Sequence, residues 1–200
     1  MFQLAGAQKS MLAELRPASQ KQTAHTTTPK KVLTTKDIQR HRIANIVHQY
    51  QPKKGWKYAY QVAAYYIDSA RKVGVHPYAL VAIGRVESEF TMSAGQQIGI
   101  MQFTRSEARE YQKKDHLNVH RLQDNIYAGA YQMARLIPKT RNHYAASRGG
   151  NLGRNSRSGY NGPNPLPRYQ VAWRRYNGGG DPHYVRKVTK AYLHFMNMKS

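Results

Sequence analysis

The run His76-Pro-Tyr-Ala-Leu-Val-Ala-Ile-Gly-Arg-Val-Glu-Ser-Glu-Phe90, followed shortly by Gly99-Ile-Met-Gln-Phe-Thr104, decides the fold. Pro77 suits the first position of a helix, where its missing N–H is no loss. Leu80, Ile83, Gly84 and Glu87 fall at i, i+3, i+4 and i+7 and so share one face. The spacing predicts a helix over Pro77–Phe90 with a carboxylate at the end of an apolar stripe. A charge in that setting needs a partner, a shifted pKa or a cleft. Gly99, at the start of the second run, permits close backbone approach.

Outward from this stretch, the 200 residues bound the answer to one domain with tails. Forty percent hydrophobic residues can supply a core, and zero cysteines exclude a disulfide framework and thiolate metal sites. No apolar run approaches the ~20 residues of a bilayer span, so no transmembrane segment is expected. The start, Met-Phe-Gln-Leu-Ala-Gly-Ala-Gln-Lys, has no basic region followed by an apolar core and does not read as a secretory signal. With 32 basic and 10 acidic residues, the net charge of +22 implies attraction to anions: DNA, an anionic wall polymer or anionic lipid.

Residues 1–34 read as an extended or partner-bound basic tail, low in hydrophobicity, with a short helix over Gln8–Leu15. Residues 35–200 read as the folded domain. Helical periodicity covers Asp37–Tyr50 and, more clearly, Trp56–Val73, with Gly74 a natural C-cap. Thr104 and Glu107 fit a capping box opening a helix to about Lys114. Leu122–Ile137 and Arg168–Tyr176 continue the pattern, and Asp181-Pro182 reads as the N-cap and first residue of a last helix. Residues 138–167 have loop composition, and nine Arg or Lys but no acid lie between Asp124 and Asp181. A basic loop beside the cleft and a solvated insertion are equally compatible with that stretch. There is no internal repeat and no strand series, so the fold class is mainly α.

The Glu87-Ser88 pair ending a helix, then Gly99-Ile-Met-Gln102 after a short loop, resembles the signature of the lytic transglycosylases, lysozyme-like enzymes that cut peptidoglycan. Asn125-Ile126, Tyr176-Asn177-Gly178-Gly179 and Tyr184-Val185 follow in the order of that family's later elements. The resemblance runs from Val75 to about Val188 and implies a lysozyme-like α fold. The chain departs from the family pattern in a shorter 87–99 loop, Ile100 for the usual Leu, Arg174-Arg175 before the Tyr-Asn pair, and the long 138–167 insertion.

Cleaving a glycosidic bond needs an acid on the leaving oxygen, and burial keeps a Glu protonated at neutral pH. The resemblance implies that Glu87 alone serves as acid and then as base, closing a 1,6-anhydro ring on N-acetylmuramic acid. It further implies substrate-binding roles for Ser88, Met101, Gln102, Tyr176, Asn177 and Tyr184. For Met101 core packing, and for Tyr184 plain aromatic packing, compete with those roles. Glu89 points about 200° away from Glu87 around the helix. Glu107, Glu110, Asp124 and Asp181 read as cap or surface charges, and none shares the apolar setting of Glu87. Nine scattered histidines, with His116 and His120 at i, i+4, form no recognised metal motif, so neither metal nor other cofactor is expected.

The leading expectation is therefore a peptidoglycan lytic transglycosylase cutting the MurNAc-GlcNAc β-1,4 bond. Without an export signal, the natural setting is a phage virion that carries the enzyme, beside other virion proteins, to open the wall in the periplasm during DNA entry. A hydrolysing muramidase uses the same site. The alternative of another class is a virion structural or adaptor protein that binds DNA or virion partners. Nucleic-acid binding as the main function has the charge in its favour but no recognised motif.

Overall fold

The computed structural model describes residues 34–94, 96–138 and 166–198. All but Thr34 of the tail expected over 1–34, its short helix, and nearly all of the loop expected over 138–167 lie outside the described residues; Thr34 belongs to the folded domain as the cap of its first helix.

Helix α1, Thr35–Tyr50, starts at a capping box: Thr34 Oγ1 accepts from the Asp37 N–H, and the Asp37 carboxylate accepts from the Thr34 N–H. A short 3₁₀ turn, Pro52–Lys54, leads into α2, Gly55–Val73, which ends at Gly74 with φ 72°. Helix α3, Pro77–Ser88, is the motif helix. It buries Tyr78 through Gly84 without interruption. A helix apolar all round must sit inside, and α3 packs against α2, α5 and the last helix.

The motif helix ends two residues before the expected Phe90. Glu89 and Phe90 both take left-handed backbone, φ 51° and 65°, and the Phe90 N–H reaches back to Gly84 O. The buried Phe90 side chain fixes that turn in place. Then comes a feature the sequence pattern did not show: strands β1, Ser93–Ala94, and β2, Gln97–Ile98, pair antiparallel. Two-residue strands are too short for alternation to be seen.

Helix α4, Arg105–Asp115, opens with the expected box, Thr104 Oγ1 accepting from the Glu107 N–H and Glu107 Oε2 from the Thr104 N–H. Helix α5, Leu122–Leu136, packs on α2. Helix α6, Leu166–Tyr176, begins two residues ahead of the expected Arg168. The last helix, α7, Tyr184–Asn197, begins later than Asp181-Pro182 suggested. Asp181 Oδ1 accepts from the His183 N–H, and Asp181 O from the Tyr184 N–H, so Asp181 closes a turn ahead of the helix. Helices α6 and α7 pack together and reach α5 and α3 respectively. Tyr169, Trp173 and Tyr192 form the aromatic filling of that side, and the His76 N–H donates to Tyr169 Oη, tying α6 to the start of α3.

Two glycines set the distances that matter for the site. A Cβ on Gly84 would lie 1.9 Å from Tyr66 Oη and 2.9 Å from Ile100 Cγ2, so only glycine lets α2 and the 99–103 turn close onto α3. A Cβ on Gly99, φ 75°, would lie 1.9 Å from Asn125 Nδ2.

Candidate active site

Glu87 occupies the last turn of α3, half-buried, on the stripe that continues Ile83 and Gly84. Its Oε1 accepts a hydrogen bond of 2.6 Å from Tyr184 Oη at the first residue of α7. The packing of α3 on α7 makes this meeting possible. Burial raises the Glu87 pKa above the usual carboxyl value. The Tyr184 hydrogen bond pulls it back down, and the negative charge of Glu107 pushes it up again. Burial pushes the Tyr184 phenol well above its usual value, with Glu87 adding to the effect. Tyr184 therefore stays a donor throughout the neutral range.

Ser88 is buried, with Oγ 2.9 Å from Ile100 O and 3.3 Å from Gly84 O. It ties the end of α3 to the Gly99–Gln102 turn. That turn is closed at its base by Ile98 and Phe103, which exchange both backbone hydrogen bonds. Gln102 has φ 53°, and its amide donates to Gly99 O at 2.6 Å. Tyr176, at the end of α6, donates to Met101 O at 3.0 Å. Its phenol is pushed well up by burial and, next, by the Glu87 charge, which places Tyr176 within electrostatic reach of the carboxylate. Asn177 donates to Asp181 O at 3.2 Å and shapes the α6–α7 turn that delivers Tyr184.

Met101 departs from the groove-lining role expected of it. Its side chain has 0% exposure, with Sδ 3.7 Å from Tyr66 Oη. Gly129 leaves the space it fills. Core packing claims the side chain, and the site uses the Met101 backbone instead. Glu89 is exposed and pairs with Arg85 at 3.4 Å, on the side away from Glu87. Glu110 pairs with Lys114 on the surface. Glu107 is the one of these carboxylates whose charge acts on Glu87.

Other residues shape the site without having been expected to. Asn125, fully buried, accepts from the Met101 N–H at 2.9 Å and donates to Val119 O and Ile98 O at 2.8 and 3.1 Å. It clamps the Gly99–Gln102 turn from α5. The visible signal was the Asn125-Ile126 pair, one of the elements that carry the family resemblance, although no role at the site was assigned to it. Gln51 Nε2 donates to Glu89 O and Thr91 Oγ1, and Tyr58 Oη to Phe90 O. These bonds hold the left-handed turn after Glu87 from a corner far away in sequence, where local pattern carries no signal. Among the described residues no group of three or more His, Asp or Glu is placed to hold a metal ion, and no helix is long and apolar enough to cross a membrane.

One half-buried carboxyl with a raised pKa, one phenol donor fixing its orientation and a turn clamped beside it can deliver and retrieve a proton. Residues 64–164 match the family model of the transglycosylase SLT domain. The match contains Glu87, Ser88, Met101, Gln102 and Asn125, and ends before Tyr176, Asn177 and Tyr184. No curated protein and no solved structure matches the chain. The family match spans half of the chain and includes Glu87, and we conclude that the chain belongs to the transglycosylase SLT domain family, whose membership implies lytic transglycosylase action on peptidoglycan.

Proposed function

We propose that Glu87 is the single acid and base of a lytic transglycosylase that cleaves the MurNAc-GlcNAc β-1,4 bond. The observation that carries this reading is the 2.6 Å hydrogen bond from Tyr184 to a carboxyl whose pKa burial raises. With Oε1 engaged, the other oxygen carries the proton toward the sugar. It protonates the glycosidic oxygen as the C1–O bond breaks, which leaves positive charge on the muramyl ring. The carboxylate so formed then removes the proton of the muramyl 6-hydroxyl. O6 bonds to C1, the 1,6-anhydro ring closes, and Glu87 is again protonated. Tyr184 acts as a positioning residue, strengthening its bond at the moment Glu87 is negative. Ser88, Gln102, Tyr176 and Asn177 hold the cleft wall; Met101 contributes its backbone.

The setting we propose is a phage particle that opens the wall locally for DNA entry. The net charge of +22 supports it, since such a protein suits packaging beside nucleic acid.

Digestion of purified peptidoglycan by wild type and Glu87→Gln, with mass spectrometry of the soluble fragments, tests the reaction. Anhydro-muramyl fragments from the wild type that vanish in the variant are expected. Reducing-end fragments would make the enzyme a muramidase at the same site. No release by folded wild type would favour a virion adaptor built on this fold.

A further inference from the structure

We propose that the face of α1 and α2 around Trp56 binds single-stranded nucleic acid. This proposal is independent of the glycan reaction, because the carboxyl and phenols of that site stand on α3, α6 and α7.

Trp56 is 45% exposed. The indole is nonetheless held. His48 stacks on it at 4.1 Å between centroids, with planes 23° apart, and His41 lies parallel at 6.3 Å. Tyr60, one turn on along α2, places a second ring 6.0 Å from the indole. His41 hydrogen-bonds the Tyr60 hydroxyl, which fixes that ring in turn. The result is a row of pre-positioned rings in which Trp56 and His41 are exposed and His48 and Tyr60 are half-buried.

The same stretch of chain is rich in cations, of which Lys36 pairs with Asp68 at 3.5 Å and Arg42 bonds Tyr78. From residue 36 to residue 60 the chain carries Lys36, Arg40, Arg42, Lys53, Lys54 and Lys57 against the single acid Asp37. The Arg40 guanidinium lies 5.8 Å from the Tyr60 ring centroid. Lys53 and Lys57 are exposed, and among the described residues neither forms an ion pair. Asp37 is engaged in capping α1.

Rings give stacking to any planar base, and the cations match a phosphate backbone; together they are the two halves of single-strand recognition. A duplex hides its base faces and would use the cations alone. A neutral glycan would use the rings and leave the cations without a partner.

The test uses the full chain and an oligothymidylate of about 12 nucleotides, within the span such sites cover. Binding is followed by anisotropy of the labelled strand and by intrinsic fluorescence, in which Trp173, fully buried, is the unquenched background. Expected are quenching of Trp56 on binding and tighter binding of the single strand than of duplex. Trp56→Ala should weaken binding about tenfold, and Trp56→Phe should stay near wild type. Lys53→Gln with Lys57→Gln should lower the salt slope by about 1.4. If Trp56→Ala does not fold, the phenylalanine and double-lysine variants decide on the same criteria. Equal binding of inorganic polyphosphate without dependence on Trp56 overturns the proposal, as does preference for vesicles of anionic phospholipid, or absence of binding at about 50 mM salt.

Discussion

Tyr184 donates its hydroxyl to Glu87 Oε1 at 2.6 Å across 97 residues of chain. The bond favours the ionised carboxylate, so it opposes the upward shift that burial causes. Tyr184→Phe should therefore raise the Glu87 pKa further and move the alkaline limb of kcat/KM on soluble glycan to higher pH. Activity at the optimum should also fall, by roughly 10- to 100-fold, the worth of a charge-assisted bond of ~1.5–3 kcal/mol. A fall with no movement of the limb would show that the hydroxyl supports packing alone.

Glu107 acts on the same group in the opposite sense. Its charge raises the Glu87 pKa. Glu107→Gln keeps an oxygen to accept from the Thr104 N–H and loses the charge. The alkaline limb should move to lower pH, with little change in thermal stability. Tyr184→Phe and Glu107→Gln thus displace one pH profile in opposite directions, a pattern unlike that of general destabilisation.

A carboxyl whose folded pKa lies above its unfolded one gives stability that is complete below the unfolded value and lost as pH rises through the folded value. Glu87 is such a group. Glu87→Gln, which can still accept from Tyr184, should be more stable than wild type at neutral pH, and the gain should vanish in acid below the ordinary carboxyl range. Urea denaturation at the two pH values measures this; equal stability at both would remove burial as the cause of the shift.

Gly84 offers a packing test. Gly84→Ala drives its methyl into Tyr66 Oη, the nearest atom at 1.9 Å. A loss of about 1–3 kcal/mol is expected. Tyr66→Phe removes that oxygen, so the double variant should recover part of the loss, while Ile100 Cγ2 at 2.9 Å keeps recovery incomplete. Additive losses in urea titrations would contradict the contact.

Asn125→Ala leaves the Met101 N–H and Val119 O without their buried partner. The expected cost is about 2–5 kcal/mol. Because Met101 belongs to the turn beside Glu87, activity at a temperature where the variant remains folded should also drop. Full activity there would show that the turn holds its shape unaided.

The parts of this molecule that were legible in the sequence are those written by period. The stripe of Leu80, Ile83 and Gly84 announced both α3 and the setting of Glu87, and Thr104 with Glu107 announced the start of α4. Boundaries were less legible where a turn competed with the helix: Glu89 and Phe90 adopt left-handed backbone because Phe90 is drawn into the core, and Asp181 spends its carboxylate on His183 before α7 starts. At the site, Glu87 could be read from its face. Tyr184 came through resemblance, since nothing local links it to a carboxylate 97 residues away. The Asn125 clamp, the Gln51 and Tyr58 bonds and the field of Glu107 on Glu87 depend on tertiary proximity, which periodicity does not encode. Met101 illustrates the converse: a motif residue whose side chain the core takes and whose carbonyl the site keeps.

The order of the two partners along the chain has a consequence during synthesis. The ribosome makes α3 early, yet the phenol that orients its carboxyl belongs to α7, made after every other helix described here. A nascent chain, or one clipped between 176 and 184, carries the acid without its orienting donor. On the function proposed above, the catalytic centre is thus assembled last, so an unfinished copy would be a poor hazard to the cell that makes it.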